Sequence, residues 1–350
     1  MNEIKKQKLS FQLDVSDFLP ADKEEKQSLV VMRKSVNFWK DGLRRLKKNK
    51  IAMVSITVII IVMMFAFIVP QFYPYSYEQQ IRGSENLAPM KYSEMELTMK
   101  AEGESVFPHI MGTDALSRDT MVRLMMGSRV SLLVGIIASA LILLIGSIYG
   151  AVAGYFGGKT DMIMMRMVDI IYTVPDILII ILLMVTLKYP LQNLANTVPG
   201  FAWINTVGVG LICIFIVFAL LYWVGMARIV RGQILTLKEQ EYVTAARALG
   251  ASHSRIIKKH LLTNCMGTLI VTTTLQIPAS IFTESFLSFL GIGVAAPMPS
   301  LGSMAAQAIG GITSYPYRLL APAIMISLII LSFNLIGDGL RDAFDPKLKN

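Results

Sequence analysis

Histidine and cysteine are almost missing from these 350 residues: three of the first and two of the second. Cys213 and Cys265 both lie in apolar runs, which excludes a disulfide framework. His253 and His260 stand seven apart on one helical pattern, and His109 lies in another segment. That leaves no zinc-ligand spacing, so no metal and no cofactor are expected. No arrangement of nucleophile and base suggests a catalytic residue either. Charge is also scarce, at 16% against about 25% in soluble domains. The formal net charge of +9 could suggest nucleic acid. However, the basic residues gather at the ends of apolar runs, which is the distribution of a membrane protein, and no nucleic-acid partner is expected.

What is present is apolar sequence in long stretches. Ile51 to Val69 is 19 residues without a charge. At about 1.5 Å per residue it covers a hydrocarbon core of about 30 Å. Pro70 and Pro74 close it. Five further spans are expected: Val130 to Ala153, about Met162 to Leu187, Thr206 to Ala227, about Cys265 to Thr283, and Leu319 to Gly337. The second carries Gly135, Ala138, Ser139, Gly146 and Gly150, small residues that let helices approach closely. In the third, Pro175 is expected to kink the helix beside Asp176. An intramembrane carboxylate is either functional or held against packed protein and cavity water. Pro278 should disturb the fifth span. Asp176, Gln276 and Ser280 are the polar candidates for a pathway, and Glu284 for an outer gate.

The reading is an all-α membrane protein with six transmembrane helices. Its segments are a tail over 1–50, the first span over 51–70, an extracytoplasmic region over 71–128, a five-helix core over 129–340 and a tail over 341–350. The first 50 residues are polar, so no cleavable signal peptide is expected. Residues 33–50 are basic with Trp39, Leu43 and Leu46 at helical spacing, compatible with a surface-lying amphipathic helix or a solvated tail. Six spans put both termini on one side. Segments 1–50, 154–166, 228–262 and 338–350 hold 25 of the 33 Lys and Arg residues, and the alternate segments 7. The positive-inside rule then makes both termini cytoplasmic, in a multi-pass cell-membrane protein. The 71–128 region is too short for an ordinary capture domain of about 100 residues.

The most distinctive stretch is the basic loop 228–262. Thr236 and Glu239 have capping-box spacing, so a helix is expected from Leu237. Gly250 should end it in the left-handed conformation, and a second helix should run from His253 to Leu262. Ala245 and Ala246 leave one patch poor in side chain, with Glu241 one turn earlier and Arg247 adding charge. The residues alone are compatible with a docking element or a solvated hairpin.

Family resemblance sharpens this. EYVTAARALGA followed by KKHLLTN resembles the EAA loop of ABC-importer permeases. Glu241, Ala245, Ala246 and Gly250 occupy the matching positions. In that family the loop inserts into a groove of the ATPase. Thr263 stands where the family usually has proline. MGTDALSRD, GSRVSLLVG, GAVAGYFGG, TESFLSFLGIG and NLIGDGLRDAFDP resemble the C-type permease subunit of dipeptide and oligopeptide importers. The resemblance covers about 108–346 together with the basic segment and first span. It implies a type I importer permease fold and a pore shared with a homologous second permease subunit. It also implies two ATP-binding subunits on the cytoplasmic loop, an extracytoplasmic peptide-binding protein, and import of short peptides. ATP hydrolysis would belong to the partners.

Three other functions fit less well. An importer for nickel complexes or another small solute belongs to the same family, but no histidine lies in a span. An intramembrane hydrolase would need a membrane partner for Asp176. A passive channel would not need the docking loop. The string Gly157, Gly158, Lys159, Thr160 resembles the end of a phosphate-binding loop, but position 153 is alanine where glycine is required, and the string joins two spans rather than a strand and a helix.

Overall fold

The computed structural model describes residues 38–344; the expectations for 1–37 and 345–350 lie outside them. The chain divides into two units, Met1–Asp41 and Gly42–Asn350. Of the first, residues 38–41 are described, as the opening turn of helix α1 (Phe38–Lys48). The second unit is helical, and among the described residues there is no strand, only an isolated bridge between Thr113 and Asp119.

Six helices are long and apolar enough to cross a membrane. They are α2 (Lys50–Phe67, continued by a 3-10 turn to Gln71), α4 (Thr120–Phe156), α6 (Asp176–Thr197), α7 (Val209–Leu237), α9 (Met266–Phe289) and α11 (Tyr317–Phe344). Between them lie the short helices α3 (Glu94–Ala101), α5 (Gly158–Thr173), α8 (Glu241–Ala248) and α10 (Leu301–Ile309). Local chemistry sets several ends. The Asn49 side chain accepts from the Ala52 amide at 3.1 Å and caps α2. Asp119 does the same for α4 through the Val122 amide at 2.9 Å. Gly157 and Gly158, with φ of +64° and +53°, turn the chain from α4 into α5, so the Gly-Gly-Lys-Thr string is a turn between helices.

The expected boundaries need four corrections. The third span is not one kinked helix over 162–187. The chain leaves helical conformation at Val174 and Pro175 (ψ 136° and 119°), and a new helix starts at Asp176 and runs to Thr197. A residue before proline is pushed out of the helical region, which turns the expected kink into a break. The fourth span does not stop at Ala227. Val230 and Ile234 are fully buried and keep the helical period going to Leu237. Thr236 is therefore inside that helix, its hydroxyl donating to the Gly232 carbonyl, and the helix that was to start at Leu237 starts at Glu241. Pro278 sits inside an unbroken α9 that extends to Phe289. Within the Gly- and Pro-rich stretch 291–318, Ser300 and Ser303 form a capping box that starts α10.

The centre of the core is the packing of α4 on α7. Gly146, Gly150 and Gly154 recur every four residues on one face of α4. A Cβ at Gly150 would collide with the Ala227 carbonyl, and one at Gly146 would lie 2.6 Å from the Met226 Cβ. The two backbones therefore approach as small-residue membrane helices do. Asp161 forks onto Arg231 with contacts of 2.5 and 2.6 Å, tying α5 to α7. That hydrogen-bonded fork lowers the carboxyl pKa of Asp161.

Residues 71–119 fold back over the opposite end. Of the neighbouring glutamates Glu94, Glu96, Glu102 and Glu104, only Glu96 is buried, where its carboxylate closes a capping box with Ser93. Its other oxygen lies 2.9 Å from His109 Nε2, and His109 Nδ1 lies 2.7 Å from Asp119. An ionised carboxylate only accepts, so with both acids ionised each ring nitrogen donates, which favours the protonated ring. Burial lowers the His109 pKa, but the bonds and charges of Asp119 and Glu96 outweigh it, and the net shift is upward. Tyr75 stacks on the ring at 4.5 Å, and its own pKa is raised to about 12 by burial, then by Glu96 and Asp119. A raised histidine pKa stabilises the folded form fully below the unfolded value of about 6.5. That contribution is lost as pH climbs through the folded value. Limited proteolysis within 71–119 should therefore accelerate as pH rises past neutrality, and His109→Gln should be cut rapidly at every pH.

Candidate functional site

The loop that stood out in the sequence is a hairpin with two unlike faces. α8 ends at Gly250, whose φ is +76° as expected. The Ala251 amide donates to the Ala246 carbonyl and the Gly250 amide to the Arg247 carbonyl, both at 3.0 Å. This is the Schellman closure, which needs a left-handed residue where Gly250 stands. The second helical run covers 253–264, two residues beyond Leu262, and is π-wound over Ile256–Leu261. Thr263 lies inside that run and its hydroxyl donates to the Lys258 carbonyl.

One face of the hairpin is keyed into the bundle. Val243, Ile256 and Leu261 are fully buried and share the core of α4 and α7. Burying each is worth about 1.5–3 kcal/mol, whereas an eight-residue helix alone in water is not stable. Tyr155, on the last turn of α4, hydrogen-bonds His253 at 2.8 Å, and Lys238 Nζ donates to the Gly154 carbonyl at 3.0 Å. The other face is presented to the outside. Glu241, Ala245, Arg247 and Gly250 are exposed and Ala246 is half-buried. Leu249, at the tip, is 88% exposed, the most exposed of the large hydrophobic side chains described. Sequence reasoning passed over Leu249. Its signal is an aliphatic side chain directly before the helix-ending glycine.

The four pathway candidates separate into two places. Asp176 and Gln276 line one cavity of 550 Å³ together with Tyr172, Pro175 and Tyr222. It lies between the α5–α6 break and a π-wound turn of α7, Phe218–Tyr222. Such turns are frequent at functional positions, and hydropathy gives no warning of them. Ser280 and Glu284 lie elsewhere on α9 and are fully buried. Glu284 accepts from Ser131 of α4 and from Ser288 at 2.8 Å each, and from Ser285 at 3.3 Å. Ser288 in turn accepts from the Val294 amide at 3.0 Å. One carboxylate thus joins α4, α9 and the start of the 291–300 segment. Among the described residues no cluster of three His, Cys, Asp or Glu side chains could hold a metal.

Comparison with known proteins shows what class of protein this six-span helical bundle with its keyed hairpin is. Residues 143–350 match the family described as "Binding-protein-dependent transport system inner membrane component", and the chain belongs to this family. Residues 37–89 match the "N-terminal TM domain of oligopeptide transport permease C". The "Oligopeptide transport system permease protein OppC" of Bacillus subtilis is 41% identical over 332 residues, covering 95% of this chain and 97% of that one. The "Dipeptide transport system permease protein DppC" of the same organism is 42% identical over 333 residues, covering 95% and 93%. The Escherichia coli OppC is 34% identical over 311 residues, covering 89% and 92%. The fold is that of an ABC permease, embedded in the membrane by several passes.

Proposed function

We propose that this chain is the permease subunit of an ATP-driven importer of short peptides. It forms the pore with a homologous second permease, takes two ATP-binding subunits on the 241–264 hairpin and receives cargo from a peptide-binding protein on the opposite side. The relatives at 41 and 42% identity are oligopeptide and dipeptide transport permeases, which supports peptide over nickel complexes or another small solute. Both termini and the hairpin face the cytoplasm, a reading supported by the 25 to 7 distribution of Lys and Arg. Residues 1–50 and 341–350 are then cytoplasmic tails, 71–128 is extracytoplasmic, and 129–340 is the permease core. The chain itself has no catalytic site, and hydrolysis of ATP belongs to its partners.

The observation that carries the reading is the hairpin: keyed to α4 and α7 on one face and apolar at its exposed tip. Glu241, Ala245, Ala246, Arg247 and Gly250 form the ATPase-docking surface, with Leu249 as its anchor. Closure of the ATPase pair moves the hairpin, and the packed contacts at Tyr155 and Ile234 pass that movement into the two helices. Asp176 and Gln276 line the pathway beside the α5–α6 break, and Ser280 lies on the same helix as Gln276. Glu284 acts at the outer gate by holding α4 and α9 together. α6 is mostly exposed along its length, as suits a face covered by the second permease and lipid. In proteoliposomes holding all five components, dileucine should enter only with ATP. Nickel uptake without peptide uptake, or peptide entry without the ATPases, would refute the proposal.

A further inference from the structure

At the end of the bundle opposite the hairpin, three arginines converge on one cavity of 310 Å³. Arg118 precedes α4, Arg123 lies in its first turns and Arg318 in the first turn of α11. Asp114 is the one carboxylate in the lining. It is already engaged: Oδ1 accepts the Leu116 and Arg118 amides at 2.8 and 3.0 Å. Its Oδ2 accepts Arg118 Nε at 2.8 Å and lies 3.5 Å from Arg123 Nε. Gln307 Oε1 accepts from Arg118 and Arg123 at 3.2 and 3.1 Å. Arg318 Nη2 donates to Asn86 and to the Thr113 carbonyl at 2.7 and 2.6 Å.

Three buried donors remain. Arg123 Nη1, Arg318 Nε and Thr120 Oγ1 are buried and have no hydrogen-bond partner within the protein. Arg123 and Thr120 are 2% and 3% exposed, so these groups are almost wholly inside. A buried guanidinium N–H without an acceptor is costly, and a lining of three positive charges against one negative compounds the cost. The rest of the lining is apolar: Ala115, Leu116, Met304 and Ala308. Unpaired guanidinium donors beside an apolar wall suit a planar carboxylate that carries an apolar substituent. A tetrahedral inorganic anion would leave the wall unused.

We infer that this cavity binds the C-terminal carboxylate of a short apolar peptide, held by Arg123, Arg318 and Thr120. The inference rests on the peptide-import reading and assigns it an entry site on the extracytoplasmic side. A cavity of 310 Å³ holds one or two residues, not a long chain. The same carboxylate chemistry is offered by a fatty acid, so the test must separate the two sources.

The full-length protein in detergent is titrated by calorimetry with dileucine, its C-terminal amide, octanoate and inorganic phosphate. Dileucine should bind, and the amide and phosphate at least tenfold more weakly. Arg318→Gln should weaken dileucine by about tenfold or more, the scale of one charge-assisted hydrogen bond. Thr120→Val, which removes one hydroxyl from a site it does not hold together, should weaken it about threefold with an unchanged melting temperature. Equal binding of dileucine and its amide, or no effect of either variant, would overturn the inference, and tighter binding of octanoate would reassign the site to lipid carboxylates. Failure of the import reading looks different: dileucine would bind as described while the assembled transporter moved no peptide.

Discussion

Leu249→Asp should leave the chain in the membrane at normal abundance and abolish peptide uptake. The side chain is 88% exposed, so its loss removes little folding energy. If it fills an ATPase groove, its replacement puts a charge into a desolvated contact. Truncating such an anchor costs about 2 kcal/mol or more, and an unpaired buried charge costs more still. Uptake and cargo-stimulated ATP hydrolysis should both fall more than tenfold. Ala246→Asp should act alike by adding volume and charge at the half-buried patch. Gly250→Val forces a β-branched residue into φ +76°, an outlier that also undoes the Schellman closure and turns Leu249 away. Glu241→Ala should be milder, because a charge at the rim of an interface contributes less than its packed centre. Normal uptake by Leu249→Asp and Ala246→Asp at normal abundance would return the hairpin to a purely structural role.

Glu284→Leu should have the second large effect, on stability as well as transport. The carboxylate is fully buried and accepts from Ser131, Ser285 and Ser288. Leucine fills similar volume but leaves the serine hydroxyls without their acceptor, at about 1–3 kcal/mol for each buried group so orphaned. The melting temperature in detergent should drop sharply, and α4 and α9 should lose their polar tie. Glu284→Gln keeps one acceptor oxygen and should lose much less. Combining Glu284→Leu with Ser131→Ala removes both partners of one bond and should recover part of the loss. A Glu284→Leu protein as stable as the parent would contradict the clamp.

Much of this architecture is legible in the residues themselves, because lipid imposes a strong compositional rule. The span from Ile51 is bounded by Asn49 and Pro70 within two residues of where hydropathy puts it. Gly250 announces a helix end through its lack of a side chain, and the proposed docking residues of α8 follow from the family resemblance. What hydropathy misreads is governed by partners distant in sequence. Thr236 and Glu239 offer a valid local cap, yet burial of Val230 and Ile234 against α4 keeps the previous helix running past them. Asp176 falls inside an apolar window, so its place at a helix start depends on the backbone preference of the residue before Pro175. The arginine cavity could not be read at all. Its members come from positions 114 to 123, 304 to 308 and 318, and only the fold brings them together.

In the assembled transporter the exposed tip of the hairpin should be covered by an ATP-binding partner. Cys213 and Cys265 are fully buried, so replacing both by alanine and Leu249 by cysteine gives a single reactive thiol at the tip. The measurement is its rate of labelling by a soluble maleimide, first in the isolated chain and then in the assembled transporter. The account predicts fast labelling alone and at least about tenfold protection on assembly, as expected for a desolvated interface centre. Equal rates in the two states, with the ATP-binding subunits demonstrably bound, would contradict it.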